Sequence, residues 1–304
     1  MALRLRTFRP SQRIVLSSLL LALSATMAPA ALAATHHRHV HRPAAEEPAL
    51  SPEEATKELL RLRVNARHAL VMEEGTGRVV LAKDADTVVP IASLTKLMTA
   101  MVILDAKLDP QQTLTIDRDD VDTLKHSASR LRVGAELSRL DALKLALMAS
   151  ENRAAAALAR TFPGGIKAFE LAMQTKIRSL GLARTNLADP TGLSPGNTST
   201  AAEVAKIAEA AARYPEIERI TSNKSAEVPV SGRTRDVHNT NRLVGGKGWD
   251  ITLSKTGYTE EAGRCLTMRM KTGERNYTVV LLDADGSAQR LRDAAKIRQT
   301  LARM

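Results

Sequence analysis

The chain has 304 residues, 44% of them apolar, and a net charge of +11. That length suits one large domain or about two ordinary ones, and only seven aromatic residues argue against a single-strand nucleic-acid groove or a carbohydrate cleft, both of which stack ligands on rings. No run of lysines and arginines interleaved with aromatics points to nucleic acid, and the single cysteine, Cys265, excludes an intramolecular disulfide, so the fold rests on core packing.

Residues 1–33 read as an export signal. Arg4, Arg6, Arg9 and Arg13 precede an apolar run over 14–32, and Ala31-Leu32-Ala33 is a small-x-small cleavage site. The run is short and ends in that site, which favours a removed signal over an uncut anchor. No other stretch reaches the roughly 18 apolar residues of a membrane span. The mature protein is therefore expected outside the inner membrane, in the periplasm, with no stable membrane anchor after cleavage. Losing those four arginines leaves a charge of +7. Such a surface suits an anionic partner such as the carboxylate-rich peptides of a cell wall, or it is ordinary solubilising charge.

Residues 34–54 read as a His/Pro/Ala-rich linker. His36, His37, His39 and His41 invite a metal, but no acidic ligand accompanies them, and a solvated linker is the expectation. No metal or organic cofactor is implied. Ser51-Pro52-Glu53-Glu54 marks a helix start, with Ser51 capping and Glu54 completing a capping box. The rest, 55–304, reads as one domain.

His68 to Met72 and Val79 to Leu81 predict two strands joined by Glu74-Gly75-Thr76-Gly77, which makes His68 a structural strand residue. Ser93 to Leu104 has an apolar helical pattern. Residues 137–161 predict two helical stretches broken near Ser150, and Gly165 to Leu180 and Thr200 to Ala212 predict two more helices. Val228 to Val230 and the Val237 to Leu243 region read as short strands or loops. Residues 251–254, 265–270 and 277–282 predict an antiparallel meander, in which Cys265 is a small strand residue. Leu291, Ala294, Ala295, Ile297 and Leu301 mark an amphipathic closing helix over 287–303. Strands at both ends around a helical middle predict an α+β domain: an antiparallel sheet that joins the two ends and is flanked by helices, with a helical insert.

Three short motifs carry chemistry. In Ser93-Leu94-Thr95-Lys96 the i, i+3 spacing puts a hydroxyl and an amine on one helix face. A serine attacks only when a base takes its proton, and lysine is that base only when burial or a nearby positive charge keeps it neutral. The helix N-terminus adds backbone N–H groups where an oxyanion can form. In Ser150-Glu151-Asn152, Ser150 can relay a proton, and Asn152 can hold a substrate amide and orient Lys96. In Lys255-Thr256-Gly257, Lys255 supplies charge and Thr256 a hydroxyl for a substrate carboxylate. Gly257 removes a side chain so that an extended peptide can lie along the strand. Taken singly, each motif has a plainer reading as a capping serine, a helix cap or a surface lysine. A second Lys-Thr-Gly, Lys271-Thr272-Gly273, precedes Glu274-Arg275-Asn276 between two strands and reads as a hairpin turn.

In this order, 57 residues from Ser93 to Ser150 and 105 from Ser150 to Lys255, the motifs resemble the active-site set of the penicillin-recognising serine enzymes. Longer stretches sharpen the likeness: 90–99, Asp189-Pro190-Thr191-Gly192-Leu193, and 255–266. Over residues 55–304 the chain is similar to the D-alanyl-D-alanine carboxypeptidase and endopeptidase family of low-molecular-weight penicillin-binding proteins. One departure is Glu151 where the motif has Asp; its side chain is expected to point away.

The resemblance implies a β-lactamase/transpeptidase-like fold, peptidoglycan stem peptides as substrate and beta-lactam antibiotics as covalent inhibitors. It implies that Ser93 attacks a D-Ala carbonyl, Lys96 accepts its proton, and Ser150 and Asn152 assist. Lys255 and Thr256 would bind the substrate end, and Lys255 would help keep Lys96 neutral. The N–H groups of Ser93 and Tyr258 would form the oxyanion hole, and Arg290 would help bind a carboxylate, unless it is simply a solvated helix residue. Only 47 residues follow Gly257, without the extra β-rich domain and amphipathic tail of the family's typical carboxypeptidases. This favours the endopeptidase branch, with terminal D-Ala removal as the alternative. A β-lactamase would need a deacylating Glu in a Glu-x-x-Leu-Asn loop, absent between Asn152 and Lys255. A wall-binding protein without activity would not need intact motifs.

Overall fold

The computed structural model describes residues 61–303 and, ahead of them, Glu54 and Lys57. The stretch read as an export signal, the histidine tract and Ser51, read as a cap, lie outside the described residues.

The strands β1 (His68–Glu73) and β2 (Val79–Lys83) form the first hairpin. The chain then leaves the sheet for more than 160 residues and returns as β9 (Asp250–Thr259), β10 (Gly263–Thr272) and β11 (Arg275–Ala284). Strand order is β2-β1-β11-β10-β9, antiparallel throughout. The two ends of the domain meet where β1 pairs with β11, from His68 opposite Leu282 to Glu73 opposite Tyr277. The second Lys-Thr-Gly closes the β10–β11 hairpin, with Gly273 at φ +60°.

Neighbouring residues on these strands face opposite layers. Leu70, Val280 and Leu282 join the core beneath the helical insert, whereas Ala69, Val71, Val279 and Leu281 pack with Ala294, Ile297 and Leu301 of the C-terminal helix. Both faces are covered, so the strands read as nearly continuous apolar runs. His68 is a strand residue whose ring Nδ1 lies 3.1 Å from the Asp84 carbonyl oxygen.

The insert holds the helices α1 (Thr95–Asp105), α2 (Arg139–Met148), α3 (Asn152–Arg160), α4 (Gly165–Ser179), α5 (Ala201–Ala211) and α6 (Pro215–Ser222). The C-terminal helix is α7 (Ser287–Leu301). In α1, Thr95 through Ile103 are all buried, which a helix apolar on every side requires. Side chains set several starts: Ser138 accepts from the Asp141 N–H, Glu151 from Arg153 and Thr200 from Glu203.

The regions around 228 and 237, read as short strands or loops, are strands and pair into a hairpin, β7 (Ser225–Val230) with β8 (Arg233–His238). Two features differ from the expectations. Ser93 lies in a tight 3-10 turn, Ala92–Leu94, ahead of α1 rather than within it. Helix α6 and the short ladders β3 (Val89–Pro90) with β6 (Thr198–Ser199) and β4 (Thr113–Thr115) with β5 (Glu136–Ser138) had no signal, because elements of two to eight residues show no period.

The C-terminal helix also fixes where β1 begins. Asp293 is fully buried, and its Oδ2 accepts from the backbone N–H groups of Asn65 at 2.8 Å and Ala66 at 2.9 Å. Its Oδ1 accepts from the Asn65 side chain at 3.0 Å. Asp293→Ala strands those donors and should destabilise the fold by about 1–3 kcal/mol, read as a lower urea midpoint at unchanged slope. An unshifted midpoint would show that this carboxylate does not hold the two ends together.

Candidate active site

The turn that carries Ser93 is strained and clamped. Ala92 has φ +47°, a left-handed conformation that costs a residue with a Cβ of order 1 kcal/mol or more. Thr95 Oγ1 donates to the Ala92 carbonyl at 2.8 Å. A Cβ on Gly192 would lie 2.0 Å from that same oxygen, so only glycine can pack there. A Cβ on Gly257 would come within 3.1 Å of the Ala92 Cβ and of the Ser93 nitrogen. Gly257 therefore lets β9 lie directly against the turn of Ser93. Because β9 is the sheet's edge strand, this lays an unpaired strand backbone beside the Ser93 N–H.

Lys96, on the first turn of α1, is 1% exposed. Its Nζ lies 2.8 Å from Ser93 Oγ, 2.7 Å from Asn152 Oδ1 and 2.6 Å from the Thr191 carbonyl oxygen. Asn152 donates its Nδ2 to Ser127 Oγ at 2.9 Å, which turns Oδ1 toward the lysine. Burial lowers the Lys96 pKa from its ordinary 10.5 to about 7, against the opposing pull of Asp189 and Glu151. A neutral amine has two hydrogens and one lone pair. The two carbonyl-type oxygens take the hydrogens, which leaves the lone pair for the Ser93 hydroxyl.

The opposite wall holds a second buried amine. Lys255, also 1% exposed, donates to Ser150 Oγ at 2.8 Å and to the Thr256 carbonyl at 2.9 Å. Burial holds it well below the usual lysine range, with the charges of Lys96 and Arg290 adding to the effect. Ser150 reaches it from a left-handed conformation, φ +60°, in the break between α2 and α3. Thr256 Oγ1 donates to Thr240 Oγ1 at 2.7 Å. The structure thus brings Ser93, Lys96 and Asn152 into one bonded group and Ser150, Lys255 and Thr256 into another, close enough for their amines to repel.

Two residues stand further out. The Tyr258 side chain is 49% exposed and lies under the Arg264 guanidinium, 3.4 Å from the ring centre, so only its backbone faces the turn's side of β9. Arg290 is buried rather than on a solvated helix face, and its Nη1 donates to the Cys265 carbonyl at 2.8 Å. It adds charge behind β9 and repels Lys255. Cys265 is buried, with its thiol pushed up to about 12 by desolvation, which makes it inert.

The cleft opens on two sides. A pocket of about 390 Å³ runs from Asn152 and Thr191 past Asp122, Leu124 and Ile166. A second hollow runs from Ser150 and Thr240 past Arg130 and Arg235. No group of three or more acidic, histidine or cysteine side chains able to hold a metal occurs among the described residues.

Residues 53–286 match the D-alanyl-D-alanine carboxypeptidase family. The chain belongs to that family. Among its relatives, it is 44% identical to a D-alanyl-D-alanine endopeptidase of Pseudomonas aeruginosa over 77% of this chain and 76% of that one. It is 40% identical to a D-alanyl-D-alanine endopeptidase of Escherichia coli over 95% and 88%. The D-alanyl-D-alanine carboxypeptidase DacF of Bacillus subtilis is 32% identical over 76% of this chain and 61% of its own. The structure of the Streptomyces K15 DD-transpeptidase superposes with a TM-score of 0.74 at 26% identity, covering 80% of this chain and 99% of that one. Penicillin-binding protein D2 of Listeria monocytogenes, in its cefotaxime-bound form, gives 0.71 at 27%, covering 79% and 98%. The α+β transpeptidase-like fold is therefore that of this D-alanyl-D-alanine carboxypeptidase family member.

Motif reasoning assigned no role to four residues that the structure places in the candidate site. Thr191 accepts from Lys96 through its backbone, and no side-chain pattern reports a carbonyl. Asp189 organises that loop: Oδ1 accepts from the N–H groups of Thr191 and Gly192 and from Thr191 Oγ1, and Oδ2 from the Ser194 N–H. Ser127 and Thr240 come from segments with no motif. The stretch around Asp189 was conspicuous in the sequence, but only as part of a resemblance.

Glu151 does not simply point away. It caps α3, accepts from the Arg130 N–H at 3.4 Å, and pulls the Lys96 pKa upward. Glu151→Gln removes that pull, so the Lys96 pKa should fall and the acid limb of penicillin acylation should move to lower pH. An acid limb unmoved or shifted upward would show that Glu151 exerts no field on the lysine.

Proposed function

We propose that this chain is an exported serine D,D-peptidase of the cell wall that cleaves D-alanyl cross-links of peptidoglycan through an acyl-Ser93 intermediate. The observation that carries it is the Lys96 amine, buried beside Ser93 Oγ at 2.8 Å with both hydrogens engaged elsewhere. Ser93 attacks the D-alanyl carbonyl carbon as its proton passes to Lys96. The oxyanion forms against the N–H groups of Ser93 and Tyr258. Lys96 gives that proton up, by way of the Ser150 hydroxyl, to the leaving nitrogen as the C–N bond breaks, which leaves Lys96 neutral again, and Asn152 holds the acyl-side amide. Lys255 and Thr256 bind the leaving side, with Arg290 supplying charge behind them. Water then attacks the acyl-ester carbonyl as Lys96 takes its proton, and Lys96 returns that proton to Ser93 Oγ as the C–O bond breaks, which regenerates Ser93.

Endopeptidase rather than carboxypeptidase specificity draws support from the relatives: those at 40–44% identity bear the endopeptidase name, and DacF is at 32%. Both Asp189 oxygens are occupied by its own loop, so no spare carboxylate there activates water. Penicillin, as a covalent inhibitor, should therefore acylate Ser93 and leave slowly. The arginines and apolar run of residues 1–33 support export to the periplasm as a cleaved signal, with 34–54 as linker and 55–304 as the peptidase domain.

Fluorescent penicillin should label the wild type, and Ser93→Ala should abolish the label. Absence of label on the wild type would end the serine-enzyme reading. Below about pH 7 the acylation rate should fall about tenfold per pH unit, because protonated Lys96 cannot accept the serine proton, and above it the rate should level off. A flat profile between about pH 5 and 8 would remove Lys96 as the base. Purified muropeptide dimers should be cut to monomers; dimers that persist while terminal D-Ala is released would make this a carboxypeptidase.

A further inference from the structure

The hollow beside Ser150 continues into a second one, and the two share Ser129, Arg130 and Arg235. Arg132 and Arg233 line the far part, where no acidic residue contributes; Glu151 and Asp236 are the acidic residues of the near part. Arg233 and Arg235 lie two apart on β8, hence on one face of the hairpin. Arg235 Nη1 donates to the Arg130 carbonyl at 2.8 Å, which ties the 129–134 loop to β8 and brings the four arginines together. None of the four forms a salt bridge with a described residue. Four like charges held along one groove repel each other, and an anion relieves that cost.

The groove's direction identifies the anion. It starts at Ser150 and at Thr240, the partner of Thr256, on the leaving-group side of the scissile bond. In terminal D-Ala removal the leaving group is one small amino acid, which ends near Thr256. In cross-link cleavage the leaving group is a whole second stem peptide with free carboxylates. We propose that the groove of Arg130, Arg132, Arg233 and Arg235 binds the carboxylates of this departing stem and so selects cross-linked over single-stem substrates. The proposal rests on the D,D-peptidase reading and names the part of the substrate that this side of the cleft takes.

The test uses Arg132→Gln/Arg233→Gln, at two exposed positions away from the reacting atoms. With muropeptide dimer, KM should rise about five- to tenfold at nearly unchanged kcat, because each exposed ion pair is individually weak. The difference should vanish with a dimer whose carboxylates are amidated, and Arg132→Lys/Arg233→Lys should restore much of it. Penicillin, which has no such stem, should acylate the variant at the wild-type rate. An unchanged KM for the dimer, or an equal rise with the amidated dimer, overturns the proposal. Wild-type protein that takes penicillin but leaves dimers uncut defeats the endopeptidase reading instead. The groove is then judged by dimer binding to Ser93→Ala protein with and without the two Arg→Gln changes: a Kd raised only for the carboxylate form supports it, and equal Kd values refute it.

Discussion

A lysine amine sealed from water with no counter-ion in contact holds its proton far less tightly than a solvated one, and the candidate active site is organised around that condition. Lowering the Lys96 pKa from 10.5 to about 7 means that the folded protein forgoes roughly 4 kcal/mol of protonation free energy at neutral pH. An apolar residue would avoid this cost, so the amine is a burden on folding, which the proposed reaction would explain. The second buried lysine, Lys255, doubles the problem. Two amines this close cannot both carry a proton without repulsion, and the protein lets desolvation hold both down. The expectation that Lys255 keeps Lys96 neutral is not what the site shows, because the repulsion between the two amines falls on Lys255 and burial is what lowers Lys96. Asp189 and Glu151 pull the value back into the range where a base works near pH 7.

A neutral amine is a useful base only if its lone pair faces the hydroxyl. The Thr191 carbonyl and Asn152 Oδ1 achieve this by occupying the two hydrogens. Each is held in turn. Asp189 pins the Thr191 loop from inside, Asn197 Nδ2 donates to the Asp189 carbonyl and to Thr95 Oγ1, and Ser127 fixes the Asn152 amide. The strain at Ala92 and Ser150 belongs to the same design. Left-handed residues at both positions turn the two hydroxyls into the cleft, and the packed surroundings bear the cost.

The sheet supplies rigidity and an edge. Because β1 pairs with β11, the insert is closed at both ends by one antiparallel layer buried on both faces. Strand β9, at the margin of that layer, presents an extended backbone to the turn of Ser93, and Gly257 sets how near it comes. A peptide lying along β9 would add a strand to the sheet, which gives affinity without regard to side chains. Discrimination between substrates is then left to the hollows on either side, one with aspartates and apolar residues, the other lined by arginines.

Local signals in the sequence were enough for the α+β architecture, the long helices, the closing meander and the inert character of Cys265, because hydrophobic period and turn residues act over a few positions. The ordered motifs also singled out Ser93, Lys96, Ser150, Asn152 and Lys255, which the fold brings to one cleft, since a reaction that needs a hydroxyl, an amine and an amide leaves those residue types in view. Tertiary structure alone decided the rest. That Gly192 and Gly257 clamp the turn of Ser93, that a Thr191 carbonyl bonds the Lys96 amine and a Ser127 hydroxyl the Asn152 amide, that Glu151 acts on Lys96, and that four arginines from two distant segments share one groove are facts of through-space contact. Backbone carbonyls carry no residue identity, and charges that meet across about 100 residues of chain have no spacing to betray them.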